Sequence, residues 1–407
     1  MMIRCQKVRI YPTDDQKELF EKSFGAARFA WNIALQESIG MKEYNGRKLR
    51  NKFTKLVKPL YPWIKEVSKE SYANSILDLG KAWDRMFQSK KKTRKGYKVG
   101  QPKFKSKRNS KQSFTMIETK IKPQQVPNMQ WISHELKIPK CIGKGKALPK
   151  IRTVENPRWK QAKIKQVTIS RNGDKYYASV RFEVKPNRET NIRSMQSNGG
   201  TVGIDWGIKN LLTLSDGTII PSQDFTKIDK LIKKRQRQLS RKVKDSKNYD
   251  KAKIKLNHKT QKKLNMRNDY LHKVTNFLIR NYTHIKIEDL RPSNMVKAHS
   301  LARKIMDASF YKFKTMLIYK MEHANNFRQG GNAVTVELVS PFNTTQICSQ
   351  CGKKQSHKLT LSDRIFDCEF CGNHMDRDLN AAINIRNKSR LRYVPKVIGE
   401  FTLVEIL

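Results

Sequence analysis

The sequence predicts an α+β protein of several domains, and three observations predict it. Apolar residues alternate one by one over residues 3–11 and again over Lys163–Ser170 and Lys175–Val184, the two-residue period of half-buried strands. Between these stretches, residues 13–88 carry apolar side chains at helical spacing. From Thr201 onward short strand patterns alternate with long helical ones, which implies a second, α/β region. At 407 residues the chain has room for two to four such units.

Composition narrows the partners. There are 85 Lys and Arg against 35 Asp and Glu, a formal charge of +50 spread along most of the chain. A compact chain with this much like charge repels itself, so a polyanion is expected to screen it, and nucleic acid is the first candidate. An anionic membrane is the weaker alternative, because no long basic amphipathic helix with an aromatic face is present. No signal peptide and no apolar run long enough to cross a bilayer is found. Of six cysteines, four form two Cys-x-x-Cys pairs; Cys5 and Cys141 are left over, which fits a reducing cytoplasm without disulfides.

The N-terminal strand ends at Pro12, and Thr13-Asp14-Asp15-Gln16 is a capping box that starts a helix. Leu19, Phe20, Phe24, Ala27 and Trp31 lie on its apolar face, and the pattern continues through Ile76, Leu79, Trp83 and Phe87 with interruptions at Pro59 and Pro62. Lys90–Arg108 holds ten Lys or Arg in nineteen residues, interleaved with Tyr97 and Phe104. Such a run is as readily a solvated linker as an ordered phosphate-binding segment. Residues 109–190 read as β-rich, with a hairpin turning at Arg171-Asn172-Gly173-Asp174. If these strands pair with the first one, the helices are an insertion into one β domain. Ser194–Gly200 reads as a linker.

In the second region, Val202, Ile204 and Trp206 share one face of a strand, and Gly203, Asp205 and Gly207 share the other. A face bare except for one carboxylate suits a metal ion with a phosphate backbone beside it. A hairpin around Asp216-Gly217 follows, then two basic helices over 226–282 with a break near Ser246–Asn248. Ile285 and Ile287 mark a further strand with Glu288 on the opposite face; a helix over Ala308–Asn326 and a strand over Ala333–Val339 lead to the cysteines. Cys348, Cys351, Cys368 and Cys371 match a zinc ribbon, each pair ending in glycine, and they leave no ligand position for His357 or His374. Asp376-Arg377-Asp378 then opens an amphipathic helix, where an acid is ordinarily just a cap.

Gly203-Ile204-Asp205-Trp206-Gly207-Ile208-Lys209-Asn210, Ile287-Glu288-Asp289-Leu290, and the ribbon with Asp376-Arg377-Asp378-Leu379-Asn380-Ala381-Ala382 closely resemble the three-part RuvC domain of TnpB (OrfB) proteins, transposon-encoded RNA-guided nucleases related to compact type V CRISPR effectors. Lys7–Thr13 and Gly100–Lys107 also look like that family, so the resemblance spans nearly the whole chain. Trp206 departs from it, standing where a smaller aliphatic residue is expected.

The resemblance implies an RNase H-like RuvC nuclease domain over 201–407, with the basic helical hairpin 226–282 and a zinc ribbon 343–376 inserted. It further implies a β-barrel wedge domain (1–12 and 89–195) and a helical recognition lobe (13–88). Asp205, Glu288 and Asp378, rather than Asp376, would be the catalytic acids and hold two Mg²⁺, and the zinc would be structural. Lys69, Tyr72, Asn74, Lys103, Phe104 and Lys105 would touch nucleic acid. The implied activity is RNA-guided, Mg²⁺-dependent cleavage of double-stranded DNA beside a short adjacent motif, with a guide RNA from the transposon end, in a prokaryotic cytosol or nucleoid and without a required oligomer. The alternative is an RNA-guided DNA binder that represses transcription without cutting.

Overall fold

In the computed structural model the described residues are 2–91, 99–108, 111–118, 127–139, 150–184, 199–290, 295, 302–327, 333–359, 363–388 and 392–393. Cys141, Tyr97 and most of the 194–200 linker lie outside them. The chain divides into two compact units, Met1–Pro186 and Asn187–Leu407.

The first unit opens with β1 (Met2–Tyr11), then α1 (Asp14–Gly40), α2 (Gly46–Lys52) and α3 (Lys69–Lys91). The strands β2 (Lys111–Ile117), β3 (Gln130–Ile132), β4 (Glu135–Lys137), β5 (Ile151–Thr153), β6 (Lys163–Asn172) and β7 (Lys175–Val184) follow. The capping box forms as the sequence predicts: Thr13 Oγ1 accepts from Gln16 N, and Gln16 Oε1 accepts from Thr13 N. Pro59 and Pro62 lie in short 3₁₀ turns between α2 and α3, where a missing amide costs least. All strands join one seven-stranded sheet in the order β2-β6-β7-β1-β5-β4-β3. Because β1 pairs with β7 and β5, the helices are an insertion between sheet strands. The hairpin turns on Gly173-Asp174, one residue later than the expected Asn-Gly pair, since Asn172 still pairs with Lys175.

Helix α1 is buried on two sides. Phe20, Phe24 and Ala27 pack on Phe114, Val167, Val180 and Phe182 of the sheet. Ala30, Trp31, Ala34 and Leu35 pack on Phe53, Ile76, Leu79 and Trp83 among the helices. One helix therefore serves both cores, and helices and sheet form one compact unit rather than two independent ones.

The second unit contains β8 (Thr201–Trp206), β9 (Asn210–Leu214), β10 (Ile219–Pro221), α4 (Thr226–Ser240), α5 (Lys247–Asn281) and β11 (His284–Glu288). Next come α6 (Ala302–Ala308), α7 (Phe310–Phe327), β12 (Thr335–Val339), β13 (Ile365–Asp367), β14 (His374–Asp376), α8 (Arg377–Asn387) and β15 (Arg392–Tyr393). The main sheet runs β10-β9-β8-β11-β12-β15. Three antiparallel strands are extended on the other side of β8 by parallel β11 and β12. That order, with helices against it, is an RNase H-like sheet. The helix expected over 308–326 is α7, and the unexpected short α6 precedes it, the two divided at Ser309, whose φ of 51° no helix can contain. Helix α4 buries Ile228, and α5 buries residues only from Leu271 onward. The hairpin between those points has 17 Lys and Arg against four Asp over 226–270 and keeps most of that charge in solvent, Asp229, Lys263 and Arg267 excepted.

Candidate active site and metal centre

The ribbon is built from two matched turns. Cys348 N donates to Lys353 O and Gly352 N to Cys348 O; Cys368 N donates to Asn373 O and Gly372 N to Cys368 O. Each turn closes on a glycine with positive φ, 73° at Gly352 and 68° at Gly372, where a Cβ would strain the chain. The four sulfurs all lie within 4.8 Å of one another, with Cys348–Cys371 at 3.7 Å and Cys351–Cys368 at 3.6 Å. A tetrahedron of Zn–S bonds of about 2.3 Å spaces its sulfurs by about 3.8 Å, so the cage fits zinc. Burial pushes the Cys348 thiol up, but the amides of Cys351 and Gln350 and the Asn373 side chain pull it down to about 6. At Cys371 the Asn373 amide also pulls down, yet burial and the three neighbouring sulfurs drive the thiol up to about 12. Four thiolates this close require a cation among them. His357 and His374 are exposed and face Glu369 and Asp367, away from ligand duty.

The three acids start far apart, 83 and 90 residues from one to the next, and the sheet and α8 bring them together. Ile287 of β11 pairs with Ile204 of β8, so Asp205 and Glu288, each one residue further on, share the opposite face. Helix α8 lies on that same face. A Cβ at Gly203 would stand 2.1 Å from Ala382 O and 2.3 Å from Arg386 N. Gly203 is thus bare to admit a helix, which corrects the expectation that its face is open to a phosphate backbone. Ala381 and Ala382, both fully buried, are small for the same reason. Asp378 lies four helical residues before Ala382, about 6 Å along the axis. Asp205 lies two strand residues beyond Gly203, roughly 6.6 Å. The docking contact therefore sets the third acid beside the first.

The electrostatics agree. Burial raises the Asp205 carboxyl well above the usual carboxylate range, and Glu288 and Asp378 raise it further against Arg377 and the Trp206 amide. Burial also raises Glu288, opposed by its hydrogen bond from Thr344 Oγ1 (2.5 Å) and by the charge of Lys388. Arg377 is bonded to Asp378 at 3.1 Å. Neighbouring acids are otherwise engaged. Asp376 is the N-cap of α8, accepting from Asp378 N and Leu379 N. Asp289 pairs with Lys314 at 2.7 Å. Among the described residues the four cysteines are the one group of possible metal ligands converging within 4.8 Å.

Asp205 and Asp378 line a cleft of about 1040 Å³. Around them stand Lys209, Lys230, Lys233, Arg303, Lys304 and Arg364, a cationic rim matched to a phosphodiester chain. Asp229 and Asp307, also on the wall, are both bonded to Lys263 at 2.8 Å. The rim residues and Arg377 were missed in the sequence. Arg377 stands inside the recognised motif and could have been found there, whereas Lys230 and Lys233 are lost among many other lysines on the 226–282 helices.

Of the six expected nucleic-acid contacts, two are corrected. Tyr72 is 2% exposed and packs 5.8 Å from Phe53; Asn74 is 5% exposed and donates to Glu70 Oε2 and Thr115 O. Both are committed to the core. Lys69 is exposed at the start of α3, and Lys103 and Phe104 are exposed on the basic segment. That segment is ordered over 99–108: Trp31 Nε1 donates to Lys103 O, and the Asn32 amide bonds both N and O of Lys105. The Lys105 ammonium lies 3.7 Å from the Trp31 ring centroid, and burial of that end lowers it to about 8.

Comparison with known proteins places this architecture. Residues 179–299 match the OrfB family described as "Probable transposase", 310–385 the "Cas12f1-like, TNB domain" and 1–46 the "Helix-turn-helix domain" of the same OrfB group. The "Putative RNA-guided DNA endonuclease InsQ" of Escherichia coli K12 is 28% identical, over 94% of this chain and 91% of its own. A "Putative RNA-guided DNA endonuclease" of Streptomyces pristinaespiralis is 29% identical over 94% and 88%. A Cas12f1 chain solved with sgRNA and target DNA aligns over 95% of this chain and 99% of its own, at 16% identity and TM-score 0.34. The chain is thus similar, over nearly its whole length, to proteins named as RNA-guided DNA endonucleases, and in three segments to OrfB and Cas12f1-like family models.

Proposed function

We propose that this protein is an RNA-guided, Mg²⁺-dependent DNA endonuclease of a transposable element, cutting beside a short adjacent motif through the one site formed by Asp205, Glu288 and Asp378. The observation that carries the reading is the meeting of three carboxylates from β8, β11 and α8 on one sheet face, where they raise Asp205 against their own charge. Such a set of hard oxygen donors fits divalent magnesium. Bound there, Mg²⁺ supplies Lewis-acid activation of water and neutralises charge at the leaving oxygen. Arg377 steadies Asp378, and the cleft cations hold the phosphate chain across the acids. The four cysteines hold structural zinc. In the first unit Lys69, Lys103, Phe104 and Lys105 contact the guide RNA or the target, with Phe104 exposed for base stacking. Its guide comes from the transposon end, and pairing by that guide reads the target.

The test is cleavage by protein loaded with transposon-end RNA, on targets carrying a library of adjacent sequences. Native protein cuts in Mg²⁺; Asp205→Asn, Glu288→Gln and Asp378→Asn each lose several orders of magnitude in rate while guided binding survives. Native protein that binds its target yet leaves both strands intact in Mg²⁺ acts as a repressor, and the nuclease reading is then wrong.

A further inference from the structure

Helix α8 does more than present Asp378. Its Asn384 Nδ2 donates to Thr344 O (2.9 Å) and to Ile347 O (2.6 Å). One turn earlier, Asn380 Nδ2 donates to Ile347 O and Asn380 Oδ1 accepts from Ser349 N, both at 2.8 Å. Just past the helix, Lys388 Nζ donates to Ser340 O (2.9 Å) and to Phe342 O. The stretch leading into the first cysteine pair is thus strapped along α8 at five backbone atoms. Thr344 sits in the middle of it, 3% exposed. Its hydroxyl lies 2.5 Å from Glu288 Oε1 and 3.3 Å from Pro341 O. One proton cannot serve both, and 2.5 Å is the length of a strong bond to a carboxylate, so Glu288 has it.

We propose that Thr344 is a positioning residue for the acid site: its hydroxyl fixes the Glu288 carboxylate, and the helix that carries Asp378 fixes Thr344. This rests on the nuclease reading. A glutamate side chain has three rotatable bonds, and a metal ion needs one of its oxygens at a set place. Thr344 takes Oε1 and leaves Oε2 to the metal. Because Asn384 and Asn380 tie Thr344 and the first cysteine turn to one helix, the ribbon braces Glu288 and Asp378 together. Partners of metal ligands of this kind are typically worth 10–100-fold in affinity or activity.

The experiment uses full-length protein and the isosteric Thr344→Val, with Thr344→Ser as rescue. Mn²⁺ binding is followed by electron paramagnetic resonance, zinc content by elemental analysis, and single-turnover cleavage by guide-loaded protein across a Mg²⁺ series. Thr344→Val keeps its zinc and guided DNA binding, binds Mn²⁺ about 10-fold or more weakly and needs correspondingly more Mg²⁺ to cut; Thr344→Ser recovers both. Thr344→Val matching native protein in Mn²⁺ affinity and Mg²⁺ dependence overturns the proposal and leaves the nuclease reading standing. Loss of zinc in Thr344→Val, unrepaired in Thr344→Ser, makes Thr344 a ribbon residue and also overturns it. Native protein that neither cuts nor binds Mn²⁺ removes both readings.

Discussion

The ribbon and the acid site are both suited to metal, and they are built in opposite ways. The ribbon is local: its sulfurs come from two turns within 24 residues, each closed by its own backbone bonds and a glycine. The acid site is assembled: two strands and a helix from distant parts of the chain must dock before its three carboxylates meet. The ribbon has little core of its own, with Phe366 packed beside Cys348 and Cys368, so a zinc ion in its cage would supply much of its folding free energy. The acid site stands on a large core of Val202, Ile204, Leu212, Leu278, Ile285, Phe313 and Val336, which holds the acids in place against their repulsion. On the proposed reading, zinc would add stability to the first centre, and Mg²⁺ would relieve the charge repulsion that the second holds.

The largest effect expected from this contrast is on the ribbon. Structural zinc in small modules contributes about 10–16 kcal/mol of apparent binding free energy. Cys368→Ser should therefore lose the single zinc, open residues 343–376 to protease, and weaken the seat of α8 through Ile347 and Ser349. Zinc analysis with limited proteolysis reads the result. A variant without zinc that resists protease as well as native protein would put the ribbon's stability elsewhere.

The acid site should respond in the other direction. The folded carboxyl of Asp205 is raised above its unfolded value by burial and by Glu288 and Asp378. Between the ordinary carboxylate value and the raised one, the folded chain holds a proton that the unfolded chain has released. Stability therefore falls as pH rises through that window. In chelator, Asp205→Asn should melt above native protein at neutral pH, and the gap should close as the pH is lowered through the carboxylate range. Saturating Mg²⁺ should narrow it from the other side by stabilising native protein alone. A native chain at least as stable as Asp205→Asn in chelator at neutral pH would mean that the acids do not strain one another.

The same contrast explains what was legible in the sequence. A ribbon is written in spacing, because its geometry spans only a few residues, and the four cysteines fall together as that spacing requires. The sheet strands and the capping box at Thr13 were legible for the same local reason. What spacing gives is a face, not the occupant of that face. Gly203 reads equally as room for phosphate or for a helix, and α8 fills it. Tyr72 and Asn74 lie on a helix whose periodicity marks an apolar face but cannot say that a sheet strand accepts the amide of Asn74. The break at Ser309 carries no proline or glycine to announce it. Thr344 precedes the first cysteine by four residues and signals nothing until the fold sets it against Glu288.

Asp376 and Asp378 provide the smallest and sharpest test, since they stand two residues apart and the fold assigns them to different work. Asp376 has its carboxylate on two amides at the start of α8, 2.9 Å from Asp378 N and 3.0 Å from Leu379 N. Those bonds and the helix dipole account for it fully. Asp378 is turned to Arg377, the cleft and Asp205. Removing a cap of this kind costs about 0.5–2 kcal/mol, and Asn serves in its place nearly as well. Asp376→Ala should thus lower the melting temperature by a few degrees, and Asp376→Asn should restore most of that loss. Both should cut DNA within about threefold of native rate, because a shortened first turn still leaves Ala382 packed on Gly203. If Asp376→Ala instead abolished cleavage while Asp378→Asn spared it, the roles of the two acids would be reversed, and the helix would meet β8 in a different register from the one that Gly203 dictates.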